Sequence, residues 1–576
     1  MAKRKAAPAV AGRAAPRAGS EIEPAKAAGA KPRPWLAVAA VASLAVFLLI
    51  YIGRFDQVVG LFVDDAWYVL LAKALATGQG YTMINSPSPG ILPLYPPAFS
   101  ALLSLVFRVA PEFPQNVWLL KSVSVAAVFG IGLLAYLYFW RDRGLSRWVA
   151  LGAALATVMV PGFAFLATSS VMSECVFAFT QLLTVVVIER GVRAGRGAWL
   201  WTLLGGAAAS FTFLTRAAAL GLLAAVVIYL LKERLWRQAA VFAGMVALIA
   251  GPWMLYSRAH APTPEQQREQ GGHIIQPYTV QFWQMRAGLH SSSRVTARDL
   301  PDRAWRNLRE VAGRDVRGVI APVTAEGQNT PGFGGKISFL SYLLSLVVLL
   351  GFIAAARRRV TLAELVVPLS LLIVCLWPWE TFRFVLPLAP FLIFYFVMGV
   401  EALQRWLQKL RQVDSPRARA AGMLLAAWGV AACGVVSNAR YIYEASDPAR
   451  ADRVPWLRAF KDNREMFDWV QAKLAPEWAI ASENPPLVYL FTGHKTVSPE
   501  EPGNRWELWD RLGVRYLVHS AVQPVPNPGL DEGRYQTVYR DPESGLNLRI
   551  TDFGPPSARV PWGRSAQPLM KIENIN

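Results

Sequence analysis

LFVDDAWYVLLAKALATGQGYT, residues 61–82, follows the first long apolar segment of this 576-residue chain and leads on to LYPPAFSALLSL at 94–105. Its apolar residues Trp67, Leu70, Leu71, Ala74 and Leu75 recur at helical spacing, which places Asp64 and Asp65 at a helix N-terminus beside an apolar span. Free backbone N–H groups and the helix dipole favour a carboxylate there, so one of the two needs no purpose beyond capping. Two together, followed by Tyr68, the glycines Gly78 and Gly80, and Tyr95-Pro96-Pro97, point to a loop built around an acidic pair.

Outward from this loop the chain is unusually apolar. Hydrophobic residues make up 54% and charged residues only 17%, a balance that indicates a polytopic membrane protein rather than a soluble domain. The net charge of +20 would suggest nucleic acid in a soluble chain. Here the cations collect in short loops between apolar runs, so no nucleic-acid partner is expected and membrane lipids are. The 3 cysteines, Cys175, Cys375 and Cys433, lie in or beside apolar segments, which argues against a disulfide framework or a Cys-based zinc site.

Residues 1–34 are rich in Ala, Pro, Lys and Arg and read as a disordered cytoplasmic tail. Apolar runs at roughly 35–53, 117–140, 148–166, 172–188, 198–214, 217–231, 238–256, 337–356, 361–378, 384–402 and 420–437 give about eleven spans. With the N-terminus inside, Arg141 to Arg147, Arg190 to Arg196, Lys232 to Arg237, Arg357 to Arg359 and Arg405 to Arg419 all fall in cytoplasmic loops, as the positive-inside rule requires. The same count places loop 61–115, loop 257–336 and everything after Asn438 outside. The membrane region is thus 35–438, and 439–576 reads as a small extracytoplasmic α/β domain. Its β-type runs are WAIAS, LVYLF, VRYLVHS, YQTVYR and LNLRI, with an amphipathic helix around Glu465 to Leu474.

Loop 257–336 carries His260, His273 and His290 without metal-ligand spacing, and its aromatic residues Phe282, Trp283 and Trp305 suggest short helices at the interface. Asn484-Pro485-Pro486, Thr492-Gly493-His494 and Pro331-Gly332 are turn signals. The chain has no Walker A loop and no Rossmann fingerprint, which argues against a nucleotide-driven pump and against direct use of a nucleotide sugar.

Three charged residues sit where charge is costly. Glu174, in ATSSVMSECVFAF, stands at the outer end of the fourth span, where Ser173 and Ser170 would also suit a simple capping role. Arg216, in FLTRAAALG, and Arg383, in PWETFRFVLPLAPF, both lie on the outer side, against the positive-inside trend. Either alone is explained by snorkelling to headgroups; two beside a double carboxylate fit a phosphate site at the outer face.

These elements in this order resemble bacterial members of the GT-C glycosyltransferase superfamily, relatives of protein O-mannosyltransferases and of lipid A aminoarabinose transferase. The motifs are D-D-x-x-Y with A-x-x-L-A-x-G-x-G-Y-T, Tyr95-Pro96-Pro97, S-E-x-x-F at Ser173 to Phe177, R-F-x-L-P-x-x-P at Arg383 to Pro390, and the late N-P-P-x-x-Y-L-F-T-G-H. Asp64-Asp65 stands where many relatives have Asp-Glu. The resemblance implies a polyprenyl-phosphate-linked sugar donor, a lipid, glycan or protein acceptor, and a bacterial inner membrane with the C-terminal domain in the periplasm. It implies Asp64 as general base, Asp65 and Glu174 positioning acceptor or base, Arg216 and Arg383 on the lipid phosphate, and Tyr68, Tyr95, Pro96 and Pro97 shaping the loop. Transfer would invert the anomeric centre. A divalent cation, Mg2+ or Mn2+, on Asp64, Asp65 and Glu174 is left open, since relatives differ. The alternative from another class is a transporter or flippase of lipid-linked sugars. It would call for charged or broken helices near mid-membrane, whereas these acids lie at the outer edge.

Overall fold

Each apolar run is helical in the computed structural model, which describes residues 34–91, 94–194, 198–269, 278–285, 294–325, 335–447, 450, 454–499, 505–520, 536–540 and 548–555. The 1–33 stretch of the tail, His273, His290 and Pro331-Gly332 lie outside the described residues. Among the described residues seven helices are long and apolar enough to cross a membrane: Pro34–Arg54, Val117–Asp142, Glu174–Arg193, Trp236–Ala259, Phe339–Arg358, Phe382–Leu410 and Pro416–Ala445. The 148–166 run is a bent pair, Arg147–Val158 and Pro161–Thr168, turned by 49°. Pro161 can start a helix but cannot donate the hydrogen bond that would continue one. The remaining apolar helices, Trp199–Thr215, Ala217–Lys232 and Ala363–Leu376, are shorter, and so is Ala98–Val109 in the loop at 61–115. This is a multi-pass helical membrane protein with a small C-terminal sheet.

Close helix packing rests on small residues. At Gly399 in Phe382–Leu410 a Cβ would lie within 3 Å of the Val347 backbone in Phe339–Arg358, and Gly351 meets the Tyr395 carbonyl as closely. Only two facing glycines let these backbones touch. All three cysteines are free thiols.

The C-terminal part is a five-stranded mixed sheet. β1 (Ala479–Ser482) runs parallel to β2 (Thr496–Val497) and β3 (Val514–His519), while β4 (Gln536–Arg540) and β5 (Arg549–Asp552) add antiparallel in the order β2-β1-β3-β5-β4. The amphipathic pattern around Glu465 belongs to helix Pro455–Lys473. LVYLF is not a strand: it forms helix Pro485–Thr492. Pro485 and Pro486 occupy its first turn, where their missing N–H groups cost nothing, and Gly493 ends it in the left-handed region at φ 78°. A short apolar run reads equally as strand or buried helix, and here the helix is buried between helix Asp64–Ala76 of the first loop and helix Pro455–Lys473. The last long helix also runs past 438, to Ala445.

Sheet domain and first loop are sewn together. Asn484 Nδ2 donates to the Gly60 carbonyl (2.9 Å), Thr496 N–H to the Asn85 carbonyl (2.7 Å), and Lys495 Nζ to the Ile84 carbonyl (2.7 Å). At Gly60, φ is 87°, a turn that favours glycine, and a Cβ there would sit 2.6 Å from Leu487 Cδ2 and force that side chain to move.

Candidate functional site

A rigid leader presents Asp64. Lys121, fully buried, donates to the Asp56 carbonyl (2.8 Å), Asp56 Oδ1 (2.8 Å) and the Thr168 carbonyl (2.9 Å), anchoring the chain as it leaves the first span. Asp65 accepts from Gly60 N–H at 2.8 Å and from Phe62 N–H at 3.2 Å. Between them Val63 adopts φ 63° and ψ −48°, and the Phe62 carbonyl accepts from Asp64 N–H at 2.6 Å. That is a γ-turn of the strained kind, rare for a β-branched residue, and such strain persists only where the surroundings impose it. The helix Asp64–Ala76 starts directly after it.

The two neighbouring carboxylates therefore part company. Asp64 is 38% exposed and faces outward, with Oδ1 accepting from Tyr95 Oη at 2.6 Å and Oδ2 lying 3.6 Å from Arg383 Nη2. Asp65 is fully buried and spends both oxygens on backbone N–H groups. Burial raises the pKa of Asp65, opposed by the two N–H groups that hold the anion. Grouped with Asp64 from sequence, Asp65 is placed by the structure behind the site, as the clasp of the leader.

Glu174 opens the helix Glu174–Arg193, where its charge suits the dipole, and its side chain is only 1% exposed. Its Oε1 receives Arg383 Nε (2.9 Å), Arg383 Nη2 (2.8 Å) and Arg216 Nη1 (2.9 Å). Arg216 stands in extended conformation between helices Ala198–Thr215 and Leu220–Lys232. Arg383 is in the first turn of Phe382–Leu410. Each guanidinium also covers an aromatic ring: Arg216 lies 5.3 Å from the centre of Phe384 and Arg383 4.7 Å from that of Phe62. Both arginines keep about a seventh of their side chain open, at 14% and 15% exposure.

The tyrosines do more than shape the loop. Tyr95 is a direct partner of Asp64, and Tyr68 accepts from Ser173 Oγ (3.2 Å), which in turn accepts from Arg216 Nη1 (3.1 Å). Burial pushes the Tyr68 phenol up to about 12, so it stays a neutral hydroxyl. Pro97 immediately precedes helix Ala98–Val109, and the Tyr68 ring packs edge-on against Tyr95 and Phe99. Tyr278, from the long loop at 257–336, is close enough to feel the charges of Asp64, Arg216 and Tyr68. Phe62 and Phe384 stand beside Asp64 and Arg383 in the quoted motifs, whereas nothing in the sequence marks Tyr278 for this neighbourhood.

Among the described residues no three His, Cys, Asp or Glu side chains converge as metal ligands. Asp65 points away and Glu174 is bound by two guanidinium groups, so the Asp64, Asp65 and Glu174 set does not fit a divalent cation. His260 bonds the Tyr256 carbonyl at 2.9 Å and stacks on that ring. What the arrangement offers is one accessible carboxylate facing two open guanidinium groups, whose charge is partly balanced by a buried acid.

No protein-family model and no curated protein sequence matches the chain. In structure it is similar to ArnT from Cupriavidus metallidurans bound to undecaprenyl phosphate, with a TM-score of 0.55 at 14% identity over 92% of this chain and 99% of that one. The same protein in the apo state gives a TM-score of 0.53 at 14% identity over the same shares. At this identity the likeness is one of fold: the chain folds as these two structures do over most of its length.

Proposed function

We propose that the protein is a glycosyltransferase that moves a sugar from a polyprenyl-phosphate donor to an acceptor hydroxyl at the outer face of the membrane. The observation that carries this reading is the convergence of Asp64, Arg383, Arg216 and Glu174 at one spot, from segments up to about 320 residues apart. The ArnT structure of similar fold binds undecaprenyl phosphate, which supports a lipid-linked donor here. Asp64 takes the proton of the acceptor hydroxyl as its oxygen attacks the anomeric carbon. The bond from that carbon to the phosphate oxygen breaks, and polyprenyl phosphate leaves with the electron pair. Arg216 and Arg383 offset its charge with donors held ready before the reaction, and attack opposite the leaving group inverts the centre. Tyr95 keeps Asp64 in register, and Glu174 keeps the two guanidinium groups side by side despite their like charge.

Purified protein incubated with polyprenyl-phosphate sugars and a hydroxyl-bearing glycan, lipid or peptide should release free polyprenyl phosphate. Its failure to appear with every such donor would refute the reading. The orientation follows from the basic loops, with the bacterial inner membrane as the setting and the sheet domain in the periplasm. A reporter fused to the C-terminus should therefore be active only when exported, and a cytoplasmic signal would reverse the topology.

A further inference from the structure

Arg383 is held in place from outside its own helix. The segment Trp377–Thr381 joins helix Ala363–Leu376 to the helix that bears Arg383, and the long external loop grips it at both ends. At the first end Asn307 Nδ2 donates to the carbonyls of Cys375 (3.0 Å) and Trp377 (2.9 Å), groups that a helix terminus leaves without partners. At the second end Thr381 Oγ1 donates to Asp315 Oδ2 at 2.5 Å and accepts from Arg314 Nη2 at 3.1 Å. Arg314 Nε closes the triangle on Asp315 Oδ1 at 2.7 Å. Asp315 and Thr381 are both fully buried.

Thr381 occupies the position from which a hydroxyl ordinarily caps the helix that follows, yet it makes no such bond. Its backbone is already helical, at φ −76° and ψ −32°, and its hydroxyl is turned to the loop instead. The buried Asp315 carboxylate is likewise costly unless its partners are kept in place. Two residues further on, Arg383 reaches Glu174 and Asp64.

We propose that Asp315 and Thr381 are positioning residues for Arg383, so that the external loop at 300–315 sets how tightly the site holds a lipid phosphate. This rests on the reading of Arg383 as a phosphate contact. The test is binding of undecaprenyl phosphate to the full chain in lipid nanodiscs. Thr381→Val, which removes the hydroxyl at nearly constant shape, should weaken binding about tenfold, the size of coupling seen between contacting residues. Thr381→Ser should restore it, and Thr381→Val should add almost nothing in an Arg383→Lys background. Unchanged affinity in Thr381→Val, or an equal loss with and without Arg383, would overturn the proposal. If the unaltered protein binds no undecaprenyl phosphate, it is the phosphate reading that fails. Coupling between Thr381 and Arg383 in thermal unfolding then decides the positioning by itself, since Arg383 is paired with Glu174 in the folded protein.

Discussion

Asp64→Asn is expected to lower sugar transfer by at least about 100-fold, the lower end of what a general base contributes. Asparagine keeps the size of the side chain and can still accept from Tyr95, so the loss isolates the charge and basicity of the carboxylate. Folding should hardly change, because Asp64 is 38% exposed and its pairing with Arg383 at 3.6 Å is of the loose kind that is worth little to stability. Asp65→Asn is the matched control with the opposite outcome. Its amide would set an N–H against Gly60 N–H or Phe62 N–H, so it should lower the melting temperature and loosen the leader. Release of polyprenyl phosphate and thermal unfolding, measured on both variants, separate the two. Full turnover in Asp64→Asn would remove that residue from the chemistry.

Glu174→Ala should be the most damaging single change to stability, with a cost of about 3–5 kcal/mol, as for other buried ion pairs that lose one partner. The side chain is 1% exposed and is the acceptor shared by both guanidinium groups, which would otherwise repel each other in a poorly solvated place. Glu174→Gln keeps an acceptor oxygen and the packing, so its loss should be smaller. Chemical unfolding in detergent reads both, and an alanine variant as stable as the parent would show that the arginines need no counterion. An activity loss in Glu174→Gln without a stability loss would place Glu174 closer to the reaction than the geometry does.

Much of this architecture is written in local pattern. Seven of the apolar runs form helices long enough to cross a membrane among the described residues, and the cations between the runs predict an orientation by a rule that needs no tertiary information. Glu174, Arg216 and Arg383 are recognisable singly because each is costly where it stands, and Asp64 because it comes as one of a pair. Their meeting is not. Arg383 touches Glu174 across 209 positions of sequence, and Tyr95 touches Asp64 across 31, distances over which no periodicity carries a signal. The LVYLF segment shows the same limit in secondary structure. Its composition suits a strand, and only burial between helix Asp64–Ala76 and helix Pro455–Lys473, with Pro485 and Gly493 at its ends, makes it a helix.

By itself the sequence determined a membrane protein with acids and arginines at the ends of its apolar runs, since hydropathy and charge act locally and leave a local record. The tertiary structure alone decided which of two adjacent aspartates faces the site. Successive residues on a helix point about 100° apart, so one must turn inward. The Val63 turn and the Gly60 contact with the sheet domain, formed by segments more than 400 residues apart, choose Asp65 for that place and leave Asp64 outside.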